Sequence, residues 1–511
     1  MSFKVKDFII PFAIAVGLTV IFQYSFLERG VGTRSDQIVA GRSHVAPSDA
    51  QRPINREIDF IDTDKQEAVI TNIDMDYGKA TFSNVGGVLT KLEFKHHVSD
   101  LNSNLVTINT NGDEEGCFLI GLEDKTPLYY NLISKIDNDD KAELVYKTEF
   151  ATGIITKTFH IFKRINKIDL NLEIEPKNSS TLRLRLFYPG PKLQDLKSDL
   201  MNGVYEESSR IQKKSADKIL DKFWDSTTLF GAEDKYFLNA LYKDEGYFLQ
   251  RCYYKISPEG LLVSILESYS IKEKKKYSLS FYFGPKRVSS MASVNDNLEK
   301  TLDSGFLSSM LFPLSKILLR ILNFLYSYVL NYGWAIILLA LLIKLILLPF
   351  SLKLEDNEKK NEFDRKNKQI EEKYKNNQQE LNRAKAELFR THGVPGMGGL
   401  LTSFLQLPIF IALNRLLVNS LDLYDAPFLW IPDLAASDPY FILPILIALS
   451  IIIQATLTNK DPKQRTVPYI IGFFAAIFVA GFPSGLVIFI ISSTLFGALQ
   501  ILLLKFFKKR S

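Results

Sequence analysis

Cysteine and histidine are scarce in this chain. Two cysteines, Cys117 and Cys252, in 511 residues are too few for a disulfide scaffold. In an oxidising compartment they could pair, but sequence alone does not bring them within bonding distance. The five histidines show no metal-ligand spacing. His96 and His97 are adjacent, so on a strand they would point to opposite faces. No Gly-rich phosphate loop and no nucleophile–base pair stands out. The scattered Asp and Glu residues of the N-terminal part read as a solvated surface. A collagen-like repeat and the composition of a disordered chain are also absent.

What is present divides unevenly along the chain. The net charge is +5 and the mean hydropathy +0.02, an ordinary average that hides two different halves. Residues 28–305 hold about 38 Lys and Arg against 42 Asp and Glu, whereas the remainder holds about 24 against 15. The remainder also carries nearly all the long apolar runs. A polar, slightly acidic domain is therefore joined to a basic, membrane-embedded part, which excludes a wholly soluble enzyme.

A membrane span needs about 20 mostly apolar residues. The first candidate, Phe8 to Tyr24, follows Lys4 and Lys6 and lacks a small-x-small cleavage site before Glu28, so it reads as an uncleaved anchor over 1–27. Residues 28–55, rich in Arg, Ser, Asp, Pro and Gly, read as a tether. In 306–330 the residues Lys316, Arg320, Asn323 and Ser327 make one polar stripe on an apolar helix, which suits an interfacial helix better than a span. Spans near 8–24, 332–352, 399–418, 440–457, 467–482 and 485–504 put every basic loop on one side. Residues 353–392 hold about 11 basic side chains, and Lys460, Lys463 and Arg465 follow the fourth span, while 421–439 has no Lys or Arg. The positive-inside rule then gives six spans with both termini in the cytoplasm. The fifth span, about 24 Å long at 1.5 Å per residue, suggests local thinning of the bilayer.

Residues 56–305 contain short β-rich runs, among them Gly153–Phe159, Leu182–Leu186 and Lys276–Tyr282, several of them alternating apolar and polar. They predict an antiparallel β-sandwich. Residues 354–392 alternate in charge, with Glu355/Lys359, Asp356/Lys360, Glu362/Lys366 and Glu371/Lys375 at i,i+4. With Phe363, Ile370, Leu381 and Leu388 at helical spacing and Asn376-Asn377 as a turn, they predict a charged helical hairpin. Its near-balanced charge argues against DNA or RNA binding along the hairpin.

Lys344 is the one charge deep in a span. Gln406 with Thr402 and Ser403, Gln454 with Thr456, and Ser493 and Gln500 with Thr494 lie in the cytoplasmic halves of their spans. The outer halves are almost purely apolar, apart from Asn414 and Arg415 near the outer end of the third span. Lys344, Gln406, Gln454, Ser493 and Gln500 together predict a hydrophilic groove open to the cytoplasm and sealed outside, since a through-pore needs polar lining along its whole length.

Residues 306–505 resemble the YidC/Oxa family of insertases. The resemblance rests on Asn331-Tyr332-Gly333-Trp334 with Lys344 and Pro349, on Gln406-Leu407-Pro408, on Ala426-Pro427-Phe428-Leu429-Trp430-Ile431 with Asp438-Pro439-Tyr440, and on Phe482-Pro483-Ser484-Gly485. It implies an α-helical membrane bundle of six spans with a five-helix insertase core over 331–505, and a periplasmic all-β supersandwich over 56–305. It also implies an insertase and chaperone for nascent inner-membrane proteins, alone or beside the Sec translocon, with no cofactor and no bond chemistry. Lys344 falls where the family's groove commonly has Arg. A lysine lacks the guanidinium fork, so bidentate carboxylate binding is lost. Phe489 and Ile490 replace an aromatic pair often found in the last span. The basic tail, Lys505, Lys508, Lys509 and Arg510, is expected to aid ribosome contact. A secondary transporter with a solute or ion site at Lys344 is the competing expectation, although no internal repeat supports it.

Overall fold

The computed structural model describes residues 59–61, 67–96, 103–110, 116–122, 125–193, 201–220, 222–225, 227–258, 260–302, 306–354, 357–375, 377–392, 408–414, 417, 420–458 and 462–510. The first expected span, the tether, the first part of the third span and Gln406 lie outside the described residues.

Alternating side chains build the N-terminal domain. In the strand Gly153–Phe162 the buried positions alternate with half-buried ones along its whole length, and Lys167–Pro176 repeats the pattern. These strands lie inside a nine-stranded antiparallel sheet. Its edge-to-edge order is Arg210–Ser215, Asn202–Glu207, Phe230–Glu233, Phe237–Glu245, Lys275–Pro285, Lys167–Pro176, Gly153–Phe162, Lys141–Phe150 and Asn131–Asp137. A five-stranded sheet runs Phe223–Asp225, Leu249–Ile256, Leu262–Ser268, Arg185–Pro189 and Leu119–Gly121, and a four-stranded one joins Ile70–Met75 to Ser103–Asn109. All three contribute to one core, represented by Phe82, Leu92, Phe159, Leu172, Leu186, Leu266 and Phe281. The strand expected from Leu182 begins only at Arg185, because the Leu184 N–H donates to Ser268 Oγ, at 2.9 Å, instead of a ladder carbonyl.

Cys117 and Cys252 are both buried and free. Lys157 is also fully buried. Its ammonium donates to the carbonyls of Gly86, Gly87 and Phe118 at 2.7, 3.1 and 2.8 Å, and stands 4.5 Å from the centre of the Tyr130 ring. Burial pushes its pKa well below the ordinary lysine range. Two short helices, α1 (Val288–Ala292) and α2 (Asp296–Glu299), close the base of the domain by burying Met291 and Leu298 against Leu238 and Tyr282. The domain is therefore β-rich rather than purely β.

The C-terminal part is helical. Helix α3 (Phe306–Val329) buries Leu311, Leu318 and Leu322 while Arg320, Asn323 and Ser327 stay exposed. Lys316 on the same helix pairs with Glu299 of α2. Helix α4 (Tyr332–Leu354) leads to two charged helices, α5 (Asn357–Lys373) and α6 (Gln378–His392). These pack together with Phe363, Leu381 and Leu388 buried, and Lys385 Nζ lies 2.6 Å from Glu371 Oε1. A helical segment over 408–414 follows, then α7 (Ile442–Thr458), α8 (Pro462–Val479) and α9 (Ser484–Arg510).

Among the described residues two helices are long and apolar enough to cross a membrane, α4 over Tyr332–Pro349 and α9 over Ser484–Leu503. Helix α7 and the apolar part of α8, Pro468–Val479, are shorter. That stretch of α8 spans about 18 Å at 1.5 Å per residue. Helix α8 starts and ends earlier than the run 467–482. Pro462 fits a first helical position, where its missing N–H is not needed, and the Phe482 N–H turns back to the Val479 carbonyl at 2.9 Å.

Candidate client groove

At the end of the bundle that meets the β domain the helices close on an apolar core. Tyr332, Ala335, Ile336 and Leu339 of α4 are buried with Leu443 of α7 and with Leu486 and Val487 of α9. The connection 421–439 seats Leu423, Ala426, Phe428, Ile431 and Leu434 in the same core. Gly333 is required here: a Cβ at that position would lie 2.1 Å from the Phe428 ring. The loop also caps α9. The N–H and hydroxyl of Ser484 donate to the Ala436 carbonyl at 2.7 and 2.8 Å, and the Gly485 N–H donates to Leu434 at 3.0 Å. Two of the N–H groups that a helix start leaves open are thereby satisfied by the loop. Asp438 does the same for α7, accepting from the N–H groups of Tyr440 and Leu443 at 3.0 and 2.7 Å and from Trp430 Nε1 at 3.2 Å.

This loop belongs to two cores at once. Leu421 and Tyr424 are buried in the core of the β domain. The Tyr424 ring lies 5.3 Å from Tyr236, and Asp422 pairs with Arg287. Burial raises Asp433 above the usual carboxylate range and lowers Lys235, and each charge partly offsets the effect on the other. The β domain thus grips the segment that fills this end of the bundle.

Toward the other end of the helices the wall becomes polar. Lys344 is half-buried on α4, between the buried Ile343 and Leu347 one turn apart. Gly497 of α9 faces it. A Cβ on Gly497 would lie 3.1 Å from Gln454 Nε2 and 3.6 Å from Lys344 Nζ, so the two polar heads converge over bare backbone. Ser493, which is buried, and Gln500, which is half-buried, stand four before and three after Gly497, the spacing of one helix face. Of the five residues expected to line a groove, Lys344 and Gln454 converge at Gly497, and Ser493 and Gln500 lie on the face of α9 that carries Gly497. Gln406 is outside the described residues. No carboxylate among the described residues pairs with Lys344.

The hydroxyls flanking this wall are largely spoken for by their own helices. Thr494 Oγ1 donates to the Ile490 carbonyl at 2.8 Å, Thr458 Oγ1 to Gln454 at 2.8 Å, and Thr456 to Ile452. They add little polarity to the wall. Gly497 is the residue that sequence reasoning missed. Its signal was a lone glycine inside the apolar run of α9, where it costs about 1 kcal/mol of helix propensity relative to alanine and so calls for a packing reason. Chemically the wall offers one ammonium and several amide and hydroxyl groups, but no nucleophile or base pair. It can solvate a charged or polar segment, an acidic one best of all.

Two family models match the chain, one described as 60Kd inner membrane protein over residues 324–510 and one as YidC periplasmic domain over 71–317. A Geobacter metallireducens protein named Membrane protein insertase YidC is 28% identical over 513 residues, covering 93% of this chain and 94% of its own length. A Helicobacter pylori protein of the same name is 30% identical over 388 residues, covering 73% of this chain and 68% of its own. A solved structure described as an active YidC insertase with the first transmembrane domain resolved aligns with 86% of this chain and 93% of its own, at 17% identity and a TM-score of 0.34.

Proposed function

Given that the chain belongs to the YidC family of membrane protein insertases, an inner-membrane family with a periplasmic domain, we propose that it integrates its clients through the groove bounded by Lys344, Gln454, Ser493, Gly497 and Gln500. Its substrates are inner-membrane proteins. The observation that carries the reading is the meeting of Lys344 Nζ and Gln454 Nε2 over Gly497, below an outer end filled by apolar side chains.

The physical task is to move a short polar tail across hydrocarbon. A buried charge without solvent or partner is costly, and a wet, positive groove lowers that cost over part of the path. The apolar segment of the client then leaves sideways into lipid. Six spans with both termini in the cytoplasm, as the distribution of Lys and Arg suggests, would open the groove toward the ribosome. The short apolar stretch of α8 favours a locally thinner bilayer, which shortens the remaining distance. On this reading α5 and α6 receive the client, and Lys505, Lys508, Lys509 and Arg510 aid ribosome contact electrostatically. Cooperation with the Sec translocon is part of the same reading and rests on the family alone.

The test is reconstitution of the full chain in vesicles. A small membrane protein with an acidic tail should integrate, its tail protected from protease, while no solute crosses. Coupled solute or ion flux with no integration would favour a transporter instead.

A further inference from the structure

The outer loop carries four carboxylates and no Lys or Arg between residues 421 and 439, yet of its exposed positions, Pro427, Leu429, Pro432, Ala436, Ser437 and Pro439, only Ser437 is polar, while Asp422, Asp425 and Asp433 are half-buried. Asp438 is buried and turned toward Trp430 Nε1 and the start of α7. Asp433 accepts from the Ala435 N–H at 2.7 Å, and Asp422 pairs with Arg287. What points outward instead is Leu429 at 71% exposure and Tyr440 at 67%, with Phe441, Leu330 and Trp334 beside them.

Three of these residues hold conformations that bulky L side chains rarely adopt. Leu330, Leu429 and Phe441 have φ of 51°, 55° and 56°. Glycine or asparagine would take that region with less strain, so the chain keeps large apolar side chains at positions whose backbone disfavours them. The three segments are tied together at one level of the bundle. Asn331 Nδ2 donates to the Pro427 carbonyl at 3.2 Å, the Phe428 ring stands edge-on to Trp334 at 5.5 Å, and Asp438 links Trp430 to Tyr440.

Below this level the exposed side chains of the same helices are also apolar, Leu338 and Leu345 on α4 and Ile442, Ile445, Leu449 and Ile453 on α7. In a membrane bundle such stripes face lipid, and the outward residues of the loop continue them at their outer ends. A contiguous apolar surface of this kind in water would be an association hazard, whereas amphipathic rings and leucines are at home at a membrane interface. We infer that Leu330, Leu429, Tyr440 and Phe441 form a collar seated in the headgroup region of the outer leaflet, so that the tip of the 421–439 connection is held by lipid. The inference rests on the outward orientation of that connection given under the proposed function.

The experiment uses the full chain with Cys117 and Cys252 replaced by alanine, its fold checked by circular dichroism. One environment-sensitive fluorophore is attached at Leu429→Cys, at Tyr440→Cys, or at Tyr247→Cys on the β domain, which is 83% exposed. The vesicles contain phosphatidylethanolamine and phosphatidylglycerol. The collar requires blue-shifted emission at 429 and 440, with quenching by headgroup-level nitroxide lipid several-fold stronger than at 247, and the reverse order for aqueous iodide. Water-like emission at 429 and 440 with iodide quenching equal to 247 would overturn it. Blue-shifted emission untouched by lipid quenchers would overturn it too, by placing a protein on the collar. Labelling of Lys375→Cys by an impermeant reagent from outside would instead overturn the orientation, and so separates the two failures.

Discussion

Lys344 Nζ and Gly497 face each other so closely that the first carbon of any side chain at 497 would stand 3.6 Å from the ammonium. On the proposed reading this narrow gap is the part of the groove most easily closed by one substitution. Gly497→Ala should be tolerated, because the closest atom, Gln454 Nε2 at 3.1 Å, is the end of a flexible side chain. Gly497→Leu should fill the space, leaving abundance unchanged but slowing integration roughly tenfold, a barrier increase of about 1.4 kcal/mol. Protease protection of a client tail in vesicles is the readout. Equal rates for Gly497→Leu and the parent chain would place the path elsewhere.

Topology is tested with two exposed positions. Ser437→Cys, in the outer loop, should react with an impermeant maleimide added outside intact cells. Lys375→Cys, in the connection between α5 and α6, should react only after the membrane is opened. The reverse pattern would invert every loop at once, since the six-span reading puts all the basic loops on one side.

The grip of the β domain on the outer loop predicts a charge-reversal rescue. Arg287 and Asp422 are partly exposed, so screening keeps the pair to about 1 kcal/mol. Arg287→Glu should therefore loosen the loop modestly, seen as broader spin-label distances between the β domain and residue 437. Arg287→Glu combined with Asp422→Arg should restore the narrow distribution. An unchanged distribution in Arg287→Glu would mean that Tyr236, Tyr424 and Leu421 hold the loop without the ion pair, and a double variant as broad as the single would mean that the two charges do not act as a pair.

Lys157 predicts a large cost inside the β domain. Lys157→Met keeps the volume but removes the donor shared by three buried carbonyls. Buried unsatisfied groups cost about 1–3 kcal/mol each, so roughly 3 kcal/mol or more should be lost from the domain's stability. Thermal unfolding of the purified chain checks this, and an unchanged transition would show that the carbonyls find other donors.

Much of the architecture was legible because it depends on period and composition. The alternation in Gly153–Phe159 marks a half-buried strand whatever surrounds it, and the resemblance at 331–349 and 426–440 identifies the family. The ends of elements were less legible, because tertiary partners set them: Ser268 Oγ takes the Leu184 N–H just before the strand that begins at Arg185, and Asp438 fixes the start of α7. Lys344, Gln454, Ser493 and Gln500 could be proposed individually from polarity at depth. The approach of Lys344 and Gln454 to α9 depends on Gly497, whose mark in the sequence is a lone glycine inside an apolar run, and that mark names no partner. The junction of the two cores was invisible for a related reason. Leu421 and Leu423 look alike in sequence, yet one enters the β domain and the other the bundle.

On the proposed reading the charge on Lys344 is the centre of insertion, and it can be tested alone. Clients differing only in the charge of the translocated tail are offered to vesicles bearing Lys344→Arg, Lys344→Ala or Lys344→Glu at equal abundance, and protease protection of the tail is measured. Lys344→Arg should insert acidic tails at the parent rate, because the positive charge remains. Lys344→Ala should be intermediate, and Lys344→Glu slowest for acidic tails, since two like charges would then share a low-dielectric groove. Parent rates for acidic tails in both Lys344→Ala and Lys344→Glu would contradict the mechanism and leave Lys344 as a side chain that merely reaches toward the inner headgroups.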